Sequence, residues 1–490
     1  MCEIYASGEG YKEVAVMAMV VKNNMPARRT LNEIDRNAKA MAKDLSKVSS
    51  GLKIRNAADD ASGFAISERM DVQVDSLEQA NQNTQNGGAM LKTAEGAMQS
   101  TVDALRGLKE KALNAANDTN TDADRATMQK EVDQMIDQID DNAAANYNGK
   151  MLIDGSRNNA ITDVATHMTN QNLAEDTTPE TSLLDLKDRA GNSLGIQETD
   201  TITVSYVLNG ETHTVTAPMM HDTSKINPNY NPRQQGSKPL LEGKSAYSIE
   251  EMVGLVGGWW DVDKSSKETV LRDSLIDLVK SEESSYIGVN GFGEEIHTAD
   301  DTAGITLKSK TAGIKGQISG LTICIKDSEG NPRRDANKAL EFSTTIFAEN
   351  ASEDNAIKIQ MGTKANQTIT AGFPDLRSEA LGLKTPPPVE TLSIATQEDA
   401  NAAIKVIDNA LQRVLDQQTK VGAIQNRLEY TSANLITSSE NTLAAKSVIT
   451  DANMAQQMTS YTKNNILVQA SQAMLAQANQ SSSSVLSLLQ

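Results

Sequence analysis

Residues 31–52 read LNEIDRNAKAMAKDLSKVSSGL, and in them Leu31, Ile34, Ala38, Met41, Leu45, Val48 and Leu52 recur at alternating spacings of three and four. That is the seam of a coiled coil. A helix of this length, about 33 Å by its rise per residue, cannot bury so regular a stripe alone, and no adjacent segment reads as a hairpin partner. A second stripe lies near the other end: Ile404, Ile407, Leu411, Val414, Val421, Leu428 and Leu435 share one line, interrupted by polar Gln418, Gln425 and Ser432. The two ends are therefore expected to pack together as a helical rod, with a middle of different composition inserted where the chain turns round.

Composition agrees with that expectation. At 490 residues the chain has room for about two to four domains, yet it is only 38% hydrophobic and 3% aromatic. Such values suit elongated helical packing better than thick globular cores. The net charge is -19, and the best basic cluster is Arg28-Arg29. A nucleic-acid face needs clustered Lys and Arg, so nucleic acid is not an expected partner. Cys2 and Cys324 cannot build a disulfide framework. No stretch approaches the ~18 apolar residues of a membrane span, so no membrane insertion is expected. Met1 to Ala18 lack the charged and apolar regions of a signal peptide. They read as an atypical leader, with Met17 and Met19 as alternative starts.

After the first seam, Ser49-Ser50-Gly51 weakens the helix and Asn56–Gly63 (NAADDASG) reads as a loop, a joint in the rod. A second helix is expected from about Ala65 to Ala115, carrying Leu77, Ala80, Leu91, Met98, Leu105 and Leu108. Gly87 and Gly88 inside it predict a bend or the close approach of a neighbouring backbone. NDTNT at 117–121 stops the helix, and a shorter one follows with Met128, Val132, Met135 and Ile139. From Asn146 the pattern changes to turns and strands. Thr201–Thr216 alternates around Asn209-Gly210 and predicts a β-hairpin. Leu321, Ile323 and Ile325 alternate likewise, as do Ile357 and Ile359. Residues 250–285, with Trp259, Trp260, Leu271, Leu275, Leu278 and Val279, predict a helix-like local core. Pro386–Pro388 reads as a stiff linker. Thr396 and Asp399 form a capping box opening a long helix to about Ala445, and a polar final helix places Met454, Met458, Tyr461, Val468 and Leu475 on one seam.

Nothing catalytic is legible. His167, His213, His221 and His297 lie in the middle, and no HExxH, GxSxG, P-loop or CxxC pattern occurs. Glu294-Glu295-Ile296-His297 lacks the second histidine a zinc site needs and reads as solvated loop. Asp59-Asp60 lacks further ligands at useful spacing and reads as loop solvation or a helix cap. Trp259-Trp260 reads as local core sooner than as a carbohydrate or partner platform. The chain is therefore expected to be no enzyme and to use no cofactor or metal.

These residues resemble one family closely. Leu45–Glu68 (LSKVSSGLKIRNAADDASGFAISE), Asn148-Gly149-Lys150, Gly422–Leu435 (GAIQNRLEYTSANL) and Ala470–Leu489 (ASQAMLAQANQSSSSVLSLL) are similar to bacterial flagellin, the subunit of the flagellar filament. The likeness covers about residues 20–156 and 355–490 and fades in the middle. It implies a mainly α fold with an α+β insert. The division would be 1–18 leader, 19–63 inner-tube N-terminal helix and joint, 64–156 rod helices, 157–350 variable outer domains, 351–450 rod C-terminal hairpin and long helix, and 451–490 inner-tube C-terminal helix. The assembly seam would be Leu31, Ile34, Met41, Leu45, Val48, Leu52, Met458, Tyr461, Val468 and Leu475. The rod core would be Leu91, Met98, Leu105, Leu108, Leu411, Val414, Val421, Leu428 and Leu435.

The resemblance further implies a helical homopolymer outside the cell, serving swimming motility and exported by the flagellar type III route without a cleaved signal peptide. Its partners would be an export chaperone on the C-terminal helix, the filament cap and the hook–filament junction proteins. It also implies recognition by the vertebrate Toll-like flagellin receptor through Leu105, Arg106, Gly107, Lys109, Glu110, Lys111 and Glu131. Gly107 stands where the family has arginine and Lys111 where it has leucine, which implies weak signalling. The family's proline near Ser481–Ser483 is absent, and Asn453 replaces an acid. The alternatives are a hook–filament junction protein, or a filament subunit whose insert is an adhesin.

Overall fold

A computed structural model describes residues 24–178, 180–208, 210–222, 244–254, 261–262, 269–270, 276–280, 286–298, 302, 304–385 and 391–488. It is mostly helical, with long helices at both ends and small β-sheets between them. The helices are α1 (Met25–Ser50), α2 (Ala61–Ala115), α3 (Asp122–Ala143), the short α4 (Ile249–Gly254) and α5 (Arg334–Ala339), α6 (Gln397–Thr450) and α7 (Met454–Leu488). The chain forms two compact units, one from the residues through Ala80 and from Asn434 onward, the other Asn81–Ala433; α2 and α6 contribute to both.

Helix ends fall where local chemistry puts them. Asn24 caps α1 by accepting from the Ala27 N–H, and Gly51 ends it in the left-handed conformation at φ 72°. Asp60 receives the Ser62 N–H at 3.1 Å ahead of α2. Thr121 and Asp124 form a full capping box on α3, and Thr396 accepts from the Asp399 N–H at 3.0 Å at the start of α6. Arg125, which sequence reading passed over, is buried and collects the end of α2, donating to the carbonyls of Ala115 at 2.8 Å and Asn117 at 3.1 Å.

In the first unit α1 runs against α7. Asn24 donates to the Ala478 carbonyl at 3.2 Å, Asn37 to Ser471 Oγ at 3.4 Å, and Asn464 to Asp44 Oδ2 at 2.7 Å, an antiparallel register. The partner of the 31–52 seam is thus α7. The 404–435 seam packs instead on α2. Leu77, Ala80 and Leu435 cluster in the first unit. Leu91, Met98, Leu105, Leu108, Val414, Val421 and Leu428 join α3 residues Val132, Ile136 and Ile139 in the main core of the second, with Leu411 packed at its edge.

The expected effect of the two glycines differs from what is found. α2 is continuous, and Gly87 makes room for a side chain: a Cβ there would lie 2.7 Å from Ile359 Cδ1, whereas nothing lies within 4 Å of Gly88. Between Asn81 and Ala433 the insert carries a four-stranded antiparallel sheet in the order Ile276–Lys280, Ile305–Ser309, His167–Asn170, Ser343–Ile346. A three-stranded sheet orders Ile318–Lys326, Thr201–Leu208 and Glu211–Pro218, so the expected hairpin forms, with Asn209 outside the described residues. Ile357–Gln360 pairs with Thr368–Ala371.

Leu278 and Val279, expected in a helix, lie on the edge strand of the four-stranded sheet; Ile276, Leu278 and Lys280 alternate with Asp277 and Val279, and pairing with Ile305–Ser309 outweighs the helical spacing. Trp259, Trp260, Leu271, Leu275 and Pro386–Pro388 lie outside the described residues. Glu295–His297 is likewise a strand, paired with Tyr286–Val289, where a loop was expected.

The insert is seated on α6 by close backbone approach and by one buried cation. Gly320, at φ 65°, lies so near that a Cβ would stand 2.7 Å from the Ala402 carbonyl oxygen. Buried Arg413 donates to the Ala380 carbonyl at 2.8 Å and to Glu349 at 3.3 Å, with its guanidinium 5.8 Å from the Phe347 ring centroid.

Candidate assembly site

α1 contains no buried residue, and none of α7 through Gln480 is buried either. The two helices share a half-buried line. On α1 it runs through Thr30, Ile34, Asn37, Met41, Asp44 and Val48, and on α7 through Gln457, Tyr461, Asn464, Val468, Ser471 and Leu475. Polar residues at alternate contacts fix the register through the hydrogen bonds above, and the apolar ones pack between them.

Of the other expected seam residues, Leu31 is 51% exposed, Leu45 49% and Met458 45%; on α7 Ile466 at 59% and Met474 at 62%, which the seam did not include, are exposed too. Met454 is exposed as well. Leu52 lies past the end of α1 and is a correction to the helical seam: it forms an antiparallel bridge with Asp451. Lys53 N–H there donates to the Thr450 carbonyl at 2.6 Å and Ala452 N–H to that of Gly51 at 2.9 Å. The two joints are thereby tied together.

The joint's acidic pair is absorbed structurally. Lys43 lies 3.2 Å from Asp59 and holds its carboxyl below the usual carboxylate range. Lys446 pairs with Asp71 between α6 and α2. Among the described residues no group of three or more His, Cys, Asp or Glu is placed to hold a metal, and no helix is long and apolar enough to cross a membrane.

Along the α2–α6 pair the polar positions seen in sequence meet polar partners. Gln418 donates to Gln99 at 3.1 Å, Gln425 to Glu95 at 2.8 Å, and Ser432 to Asn81 at 2.6 Å. On the same two helices Val72, Tyr430, Ile436, Leu443 and Val448 are exposed, Tyr430 at 74% and Val448 at 80%.

The residues assigned to receptor recognition divide. Leu105 is fully buried in the main core and cannot face a partner, a correction to that set. Arg106 is exposed and pairs with Asp103 at 3.1 Å; Lys109 pairs with Asp408 at 2.5 Å; Glu110 is exposed. A Cβ on Gly107 would be in ordinary contact with Met135. Lys111 pairs with Glu131, whose carboxylate raises the lysine pKa.

Comparison with known proteins follows the same geography. Residues 21–158, which include α1 to α3, match the bacterial flagellin N-terminal helical region, and residues 404–489 the bacterial flagellin C-terminal helical region. The chain is 31% identical over 463 residues to a flagellin of Clostridium tyrobutyricum, covering 94% of this chain and 99% of the relative. It is 28% identical over 474 residues to a flagellin of Bacillus subtilis, covering 96% and 100%. With both terminal regions matched on the helices that carry the seams, and a relative of that identity aligned over nearly the whole length, the chain belongs to the bacterial flagellins.

Proposed function

We propose that copies of this chain assemble through the α1–α7 pair, the layer whose outward apolar side chains find no cover among the described residues of one subunit. Flagellins are structural proteins, and the extracellular flagellar filament, the organelle of swimming motility, is where this one belongs. The observation that carries the assembly reading is the exposure of Leu31, Leu45, Ile466 and Met474 on helices that bury none of their described side chains. Each such side chain gains about 1.5–3 kcal/mol when fully covered, so repetition along a polymer yields a large driving force. Contacts that join different patches head to tail do not close and give open helical growth.

The test is electron microscopy of purified subunit returned from low to neutral pH with a seed, beside a chain ending at Asn453. Filaments from the full chain and none from the shortened one are expected. Equal polymerisation of both rejects the assignment of the contact to α7, and monomers from both favour a hook–filament junction role.

The division at 1–18, 19–63, 64–156, 157–350, 351–450 and 451–490 follows from this reading, with the cap, the junction proteins and an export chaperone on α7 as partners, and export without a cleaved signal. Weak signalling through the Toll-like flagellin receptor belongs to the same proposal. It is supported by Lys111, which occupies the Glu131 carboxylate, and by Gly107, which offers no guanidinium. In a reporter-cell assay, Gly107→Arg with Lys111→Leu should raise potency; full potency of the unaltered chain rejects the idea.

A further inference from the structure

Beside the hairpin formed by Tyr286–Val289 and Glu295–His297 lies an open cleft of about 480 Å³, lined on one side by Tyr286 to Asn290 and on the other by His167, Lys308 and Lys310. Its size falls within the range of small-ligand sites. His167 and Lys308 are direct partners on neighbouring antiparallel strands, so their side chains leave the sheet on the same face.

His167 is only 6% exposed, and its Nδ1 lies 2.9 Å from the Ala165 carbonyl oxygen. A carbonyl can only accept, so the ring hydrogen sits on Nδ1 and Nε2 presents a lone pair. Burial, helped by Lys308, lowers the His167 pKa and keeps the ring neutral. Nε2 has no hydrogen-bond partner among the described residues. Gly288 keeps that edge clear, since a Cβ there would stand 3.1 Å from Nε2.

Two lysines and one aromatic ring stand among the apolar and small polar residues of the rest of the lining. Lys308 is exposed and forms no ion pair among the described residues, and Lys310 is on the same rim. The one carboxylate lining the cleft, Asp163, already accepts the Ala351 N–H at 2.5 Å. Tyr286 is 41% exposed and is held edge-on by His297, with ring centroids 5.9 Å apart. Lys308 and Lys310 thus bring two ammonium groups to one rim in a chain of net charge -19, with Asp277 the register partner of Lys308 on the neighbouring edge strand.

We propose that this cleft binds an acidic saccharide, its carboxylate on Lys308, a hydroxyl donating to His167 Nε2 and its ring against Tyr286. A bare acceptor needs a donor, which a sugar hydroxyl supplies and a fully ionised phosphate monoester does not. The inference goes beyond filament assembly, because the cleft lies on the insert and uses none of the seam residues.

The experiment is titration calorimetry of the full monomeric chain with galacturonic acid, N-acetylneuraminic acid, galactose and inorganic phosphate. An acidic sugar should bind with Kd at or below about 1 mM. Lys308→Ala and Tyr286→Ala, both at exposed positions, should each weaken it about tenfold, with circular dichroism and seeded polymerisation unchanged. No binding of either acidic sugar, equal binding of galactose, stronger binding of phosphate, or affinity indifferent to Lys308→Ala overturns the proposal. Assembly is read separately, so failure of the cleft and failure of the filament reading are distinguishable.

Discussion

Thr166 and His167 stand side by side at the start of one strand and illustrate opposite settlements of a buried polar group. The Thr166 hydroxyl is buried and has no hydrogen-bond partner among the described residues. Replacing it by the isosteric methyl in Thr166→Val removes a desolvated donor and should stabilise the subunit by about 1 kcal/mol in urea unfolding, while Thr166→Ser keeps the hydroxyl, loses a methyl and should cost about 1 kcal/mol. His167 spends its hydrogen on Ala165 and stays neutral, its pKa held below 6.5 by burial. The unfolded chain takes up a proton below about pH 6.5 that the folded chain refuses. Stability from this group is therefore complete above that pH and declines as pH falls toward the folded pKa, by at most about 1.4 kcal/mol per unit. His167→Asn, whose amide N–H can still donate to Ala165, should flatten the difference between unfolding at about pH 7.5 and pH 5.5. Neither residue's role was readable beforehand: a histidine in a variable middle gives no sign of which carbonyl it will meet.

At the scale of elements, periodicity carried far where the neighbour was a helix of matching pattern. Gln418, Gln425 and Ser432 looked like interruptions of a seam, and their spacing alone placed them on the contact line. That Gln99, Glu95 and Asn81 would receive them depends on the register of α2, which spacing does not set. Spacing set the 404–435 stripe on α6 against the seam of α1 for the same reason, whereas the joint tied at Leu52 and Asp451 and the hydrogen bonds of Asn24, Asn37 and Asp44 place α7 there. The glycine pair shows what a one-dimensional pattern omits. Both glycines weaken a helix, but only Gly87 has a tertiary neighbour. Gly88→Ala should stabilise by up to about 1 kcal/mol. Gly87→Ala drives a Cβ against branched Ile359, and overpacking of about 1–3 kcal/mol should cancel or exceed the helical gain. Thermal unfolding of the two variants reads the contrast directly; equal shifts would mean that Ile359 moves aside freely.

For the whole molecule the decisive quantity is where burial is concentrated. The unit Asn81–Ala433 holds both large hydrophobic clusters, the first with Leu91, Met98 and Leu105, the second with Ile202, Leu307 and Ile325. The other unit offers one small cluster, Leu77, Ala80 and Leu435, and two helices without a buried residue in their described side chains. Long polar helices gain most of their stability from packing, not from propensity. Local opening of α1 and α7 should therefore cost little in the monomer, while opening of α2 near Met98 approaches the global unfolding free energy. Hydrogen exchange gives the check. In monomer, amides of α1 and α7 should exchange orders of magnitude faster than those around Met98 and Val414. In filaments the same two helices should become protected, because neighbouring copies cover Leu31, Leu45, Ile466 and Met474. A fragment of residues 81–433 should keep its cooperative unfolding and fail to polymerise. Protection of α1 in the monomer equal to that of α2 would place the stabilising contacts inside one subunit and leave the outward seam without a role in assembly.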